Sequence, residues 1–171
     1  MTGMAALHQW ENCPQHIDTG DGKHRVRLLK QMNRFAIKDS EMPQGLGEVE
    51  TRLAGDDINI IHGTPPPTAS SDYAILPVYA STGKSAPAVV TQRIFVRLDE
   101  DTPFGEARES IEALGFRIDD IPAHAPHCAW LEPASGGVGD SLSKLEPLRA
   151  LPRVVNAEPQ VLRPRDWKPS R

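Results

Sequence analysis

The run Arg93-Ile94-Phe95-Val96-Arg97-Leu98 decides how this chain is read. Apolar and basic residues trade places there at a period of two, the signature of a strand with one buried face. Thr102 and Pro103 follow as an N-cap and a first-turn proline. Phe104, Ala107, Ile111 and Leu114 then recur at spacings of three and four, so they share one stripe of a helix that Gly115 should end.

Moving toward the C-terminus, Phe116 to Ile121 and Cys128 to Glu132 read as short strands around the loop Pro122 to Pro126. Val138, Leu142, Leu145, Leu148 and Leu151 form a second apolar stripe. Pro147 lies within it, so that helix must start late, near Ser141 or Ser143, or bend. Val154 to Ala157 closes the unit as a last strand. The order β-α-β-β-α-β predicts an α+β fold, a ferredoxin-like domain over 93–162 with helices on one face of an antiparallel sheet.

Moving toward the N-terminus, Val26 and Leu28, then Phe35 and Ile37, alternate on either side of Gln31-Met32-Asn33 and predict a hairpin. Arg34-Phe35-Ala36-Ile37-Lys38-Asp39 parallels the deciding run, and Pro43 with Gly47-Glu48 parallels Pro103 with Gly105-Glu106. Leu46, Val49 and Leu53 suggest a short helix before Gly55, and Asp56 to Ile61 and Tyr73 to Tyr79 echo two strands. Residues 23–81 therefore read as a partial β-α-β-β repeat that must pack on the second copy to bury its apolar face. Residues 1–22 read as a loosely ordered arm anchored by Trp10, 82–92 as a connector and 163–171 as a tail.

Leu148-Arg149-Ala150-Leu151-Pro152-Arg153-Val154, followed by Ala157-Glu158-Pro159, resembles the closing helix and strand of subtilase propeptides. The deciding run, with Gly105-Glu106-Ala107 and Ala113-Leu114-Gly115, is similar to that family's first strand and helix. Arg34 to Lys38 and Leu76-Pro77-Val78-Tyr79 resemble a segment that some subtilases carry ahead of the propeptide. The resemblance implies a module that assists folding of a subtilisin-like serine protease and inhibits it, the protease being supplied in trans or as a cleaved downstream domain. Its sheet, through Phe95, Arg97, Trp130, Val155 and Glu158, would dock on the protease. Its tail, through Val161, Leu162, Arg163, Trp167 and Arg171, would lie in the substrate cleft as an added strand.

Composition narrows the alternatives. The chain has 171 residues, a net charge of −4 and 25% charged residues, so no basic footprint for nucleic acid is expected. Sixteen prolines against nine aromatic residues point to short elements and many loops. Met1 to Asn12 lacks a basic n-region and a long apolar h-region, and no apolar run approaches the ~18 residues of a membrane span. A cytoplasmic protein is expected, with Cys13 and Cys128 as free thiols.

Several motifs invite chemistry and fail to supply it. Asp18-Thr19-Gly20 and His62-Gly63-Thr64 copy two catalytic phrases of subtilases, but no nucleophilic serine phrase accompanies them. The solvated neighbours of Asp18 equally disfavour an aspartic-protease reading. His124, His127 and Cys128 lack the spaced fourth ligand that structural zinc needs, and Gly136-Gly137-Val138-Gly139 lacks the lysine of a phosphate loop. No enzyme, metal or cofactor is therefore expected. The competing expectation is a ferredoxin-like binding or assembly module that senses a small molecule or dimerises through its sheet edge.

Overall fold

Two long strands organise the molecule. The computed structural model describes residues 9–20, 22–41, 45–65, 75–82, 85–134 and 137–165. Strand β1 (His16–Thr19) pairs with the first part of β2 (Val26–Lys38). Two further strands, β3 (Glu48–Leu53) and β4 (Ile58–His62), form an antiparallel pair, and β4 binds the second part of β2. Leu29 is opposite both His16 and Ala80, and Phe35 is opposite both Ile61 and Pro77. Strand β5 (Leu76–Ala80) therefore runs along the other edge of β2.

The second organiser, β6 (Ala88–Leu98), receives β5 through Val89 and β8 (Cys128–Pro133) through Ile94 to Arg97. Its opposite edge is filled by β9 (Val154–Leu162), and β7 (Phe116–Asp120) lies outside β8. The result is one nine-stranded antiparallel sheet in the order β3-β4-β2-β5-β6-β8-β7, with β1 on β2 and β9 on β6.

This architecture corrects the expected ferredoxin-like α+β fold with its partial repeat. The chain is mostly antiparallel β, and its helices are short. Three local readings account for the error. The hairpin expected around Gln31-Met32-Asn33 does not form: Val26–Lys38 is one strand, β2, whose register against β5 shifts between Lys30 and Phe35. The stripe Leu46, Val49 and Leu53 belongs to no helix: Glu48–Leu53 is a strand, with Leu53 buried and Val49 43% exposed. Gly47 before it has φ +150, and a Cβ there would stand 2.8 Å from Ile61 Cγ2, so this bend fits against β4 only as glycine. The connector reading of 82–92 also fails beyond Ala88. Ala88, Val89 and Val90 are all but fully buried, a continuous apolar run that reads as sheet interior and joins the two halves through β5.

The helices are α1 (residues 9–12), α2 (Arg108–Ala113, after a 3-10 turn at Phe104–Ala107), α3 (Val138–Ser143) and α4 (Leu145–Arg149). Pro147 does not delay the C-terminal helix; the chain instead breaks into α3 and α4 at Lys144. Pro147 is then the third residue of α4, where a backbone N–H has no intrahelical acceptor to lose. Phe104, Ile111, Leu142, Leu145 and Leu148 are buried against Ile94, Val96, Leu98, Ala129, Leu131 and Ala157. Side chains alternate along a strand, so Arg93, Phe95 and Arg97 emerge on the face away from these helices.

The described part of the N-terminal segment, from residue 9 on, is built into the body, where a loose arm was expected. Cys13 and Ile17 join the main core, while Trp10 closes a second cluster with Phe35, Ile37 and Ile61 on the opposite face of β2 and β4. Lys30 donates to the Trp10 carbonyl at 2.6 Å and lies 4.2 Å over its ring; Tyr79 Oη donates to the Pro14 carbonyl at 2.7 Å. Gly137 and Gly139 serve this contact. A Cβ on Gly139 would stand 2.6 Å from the Gln9 carbonyl oxygen, so the arm lies this close to α3 only while that position is bare. Gly136 lies outside the described residues.

Candidate protein-docking site

The deciding run places its polar face where β8 and β9 flank it. Phe95 is opposite Trp130 on β8 and Glu158 on β9, so the three side chains share the face away from α2, α3 and α4. The Phe95 and Trp130 rings meet with centroids 5.0 Å apart at an interplanar angle of 58°. Arg97, two residues along β6, is opposite Cys128 and Asn156 on the same face. Four of the five residues expected to dock are thus neighbours. Val155, half exposed, falls instead where the β6–β9 register shifts, between the Asn156 and Val154 pairings.

Strand β9 carries the face toward the tail. Val161 and Leu162, expected in a free tail, pair with Val90 and Val89 and pack on the core, so they belong to the sheet. Arg163 follows immediately after the strand. Trp167 and Arg171 lie outside the described residues. A groove of about 580 Å³ runs beside this strand, lined by Thr19 and Gly20, by Phe95 and Trp130, and by 158–163.

An ion-pair cluster that the alternation pattern did not reveal borders the aromatic pair. Arg93 contacts Asp119 at 2.9 Å and Glu132 at 3.6 Å, and Arg117 reaches Glu132 at 3.4 Å. The Arg93 guanidinium also lies 4.7 Å over the Trp130 ring. Basic and acidic residues at alternate positions of β6, β7 and β8 are the only signal of this cluster in the sequence, and their pairing needs the register. Exposed pairs of this kind contribute little to stability, ~0–1 kcal/mol each, but they fix side-chain positions around the rings.

The opposite end of β9 is tied to β1 by one side chain. Arg149 donates to the Ala157 carbonyl at 3.0 Å and to the Asp18 carbonyl at 2.7 Å, while pairing with Glu146 at 2.8 Å. A second cavity of about 320 Å³ between Pro14–Asp18 and α3–α4 has this committed guanidinium in its lining. The Arg27 guanidinium, bonded to Asp18, holds that carboxyl below its ordinary range. Asp18 is thus a surface ion-pair partner on β1, and His62 is an exposed residue ending β4. His124 is exposed in the loop before β8, whereas Cys128 is buried. Among the described residues no group of three or more His, Cys, Asp and Glu side chains is placed to hold a metal ion. Both cysteines are free and buried. No described helix is long and apolar enough to cross a membrane.

Comparison with known protein families, characterised proteins and solved structures finds no match to this chain.

Proposed function

We propose that the chain is a non-enzymatic binding module that inhibits a subtilisin-like serine protease and assists its folding. The observation that carries this reading is the face formed by Phe95, Arg97, Trp130 and Glu158, aromatic at its centre and charged at its border. That composition suits a protein interface, where aromatic and arginine side chains supply most of the binding energy. Strand β9 leads directly from this face to Arg163, so a partner docked on the sheet would meet the tail next. The residues that resemble subtilase propeptides supply the partner class. In this reading the protein works in the cytoplasm, where its two free thiols stay reduced.

The test is inhibition of peptide hydrolysis by a panel of subtilisin-like proteases, with the wild-type chain, Trp130→Ala and a chain ending at Arg163. Trp130 is only partly buried, so its loss should spare the fold while weakening inhibition by about tenfold or more. Truncation should leave binding measurable but abolish competition with the peptide. If the wild-type chain neither inhibits any of these proteases nor raises the refolding yield of one, the proposal is wrong.

A further inference from the structure

We propose that the groove beside β9 is a binding site for a cationic side chain, arginine or lysine, carried by an extended peptide. The proposal stands on the groove's own chemistry and does not require the partner to be a protease. Glu158 is its centre. One carboxylate oxygen, Oε1, is shut off from solvent and has no hydrogen-bond partner, although the side chain lines the groove. A buried acceptor left without a donor is unfavourable in the free protein, and turning the carboxylate about its last bond to meet a guanidinium or ammonium in the groove would relieve it.

Two further features select a cation over a neutral donor. Phe95 and Trp130 stand beside Glu158 and offer ring faces, and the molecule already seats one guanidinium, that of Arg93, over Trp130. Arg93 itself is taken up by Asp119 and Glu132, and Arg97, diagonal to Glu158, is already engaged. The remaining cation in the lining is Arg163. It follows Glu158 by five residues, roughly 17 Å of extended chain. That separation exceeds the screening length of about 8 Å at physiological salt, so Arg163 does not oppose a cation at Glu158.

The backbone argues for a peptide. Among the described residues β9 pairs as a strand only with β6; on its other edge the Ala157 carbonyl is taken by Arg149, and the part from Pro159 onward has no strand partner. Pro159 contributes no N–H there, so an extended chain laid on this part would donate to edge carbonyls and receive no N–H at that position.

The test is a titration of the full chain with the peptide acetyl-Ala-Arg-Ala-amide and its citrulline counterpart, which has the same shape without the charge. Binding is followed by the Trp130 indole and Phe95 ring signals in NMR spectra. The arginine peptide should bind about tenfold more tightly than the citrulline peptide, the worth of one charge-assisted hydrogen bond. Glu158→Gln should erase the preference while leaving the thermal midpoint unchanged or higher, because it removes the charge from a carboxylate that has one oxygen without a partner. Phe95→Leu, which keeps an apolar strand residue, should weaken the arginine peptide selectively. Equal binding of the two peptides, binding that leaves Trp130 and Phe95 unperturbed, or a preference that survives Glu158→Gln would overturn the proposal.

Discussion

Replacing Gly139 with alanine tests whether the N-terminal arm is part of the fold, because two opposed effects make the sign of the result decisive. Gly139 is the second residue of α3, and alanine in a helix is favoured over glycine by up to about 1 kcal/mol. If the arm were absent from this surface, the variant would be neutral or more stable. With the arm in place, the new Cβ stands 2.6 Å from the Gln9 carbonyl oxygen and 3.1 Å from Asn12 Cβ, so backbone must move. Overpacking of that kind costs about 1–3 kcal/mol. Complete release of the arm would be worse, since exposing Trp10 alone forfeits on the order of 4–6 kcal/mol at 25 cal/mol per Å². The arm should therefore shift and stay bound, with a net loss of about 0–2 kcal/mol and a drop of up to about 6 °C in Tm. Urea unfolding followed by circular dichroism gives the free energy, and tryptophan fluorescence reports Trp10. A Gly139→Ala protein more stable than wild type would refute the docked arm.

Other outcomes follow from the same arm. Tyr79→Phe removes the bond to the Pro14 carbonyl and should cost about 1 kcal/mol in the same urea titration, with the effect reduced in a protein already carrying Gly139→Ala. Burial pushes the Cys13 thiol from its usual 9.0 up to about 12, and also raises Cys128. Neither thiol should react with iodoacetamide at pH 8 until urea unfolds the chain; rapid labelling of Cys13 in the native protein would contradict its burial. The raised Cys13 value means that its contribution to stability is fully present below pH 9 and is lost between pH 9 and 12, at up to about 1.4 kcal/mol per pH unit. Lys30 acts in the opposite sense, because burial lowers its value and the unfolded chain holds that proton more tightly on approach to pH 10.5. Cys13→Ala should accordingly flatten the alkaline loss, measured as unfolding free energy from pH 8 to 11.

What could be read in advance was local and periodic. The alternation of 93–98 located β6 and its two faces, and the spacing of Phe104, Ile111 and Leu114 located a turn of 3-10 helix and α2. Phe95 and Arg97 were legible as one face of β6 from alternation, whereas Trp130 and Glu158 join that face only through the strand pairing. The pairing itself was hidden. Leu46, Val49 and Leu53 fit a helical stripe as well as a strand, and only the hydrogen bonds to β4 and the bend at Gly47 choose between them. Ala88-Val89-Val90 shows no alternation because both of its faces are covered, so the seam between the halves resembled a connector. The arm escaped notice for a related reason: its few apolar residues, Trp10, Cys13 and Ile17, serve two different clusters and show no common period.

The two faces of β6 carry the central physical argument. Ile94, Val96 and Leu98 are fully covered by helices and strands, so the folding energy of this half is secured on one side of the sheet. The other side keeps Phe95 and Trp130 partly exposed, surrounds them with paired charges and leaves a carboxylate oxygen of Glu158 without a partner. A surface selected for stability alone would give that oxygen a donor or replace the carboxylate, since neither change needs a new backbone. The cation on Trp130 is supplied from within, by Arg93, whereas no donor reaches Glu158 Oε1. That asymmetry within one small face is what a site completed by a partner's positive charge would show, and it is the ground for placing the proposed cation site at β9 and not at the ion pairs of β7 and β8.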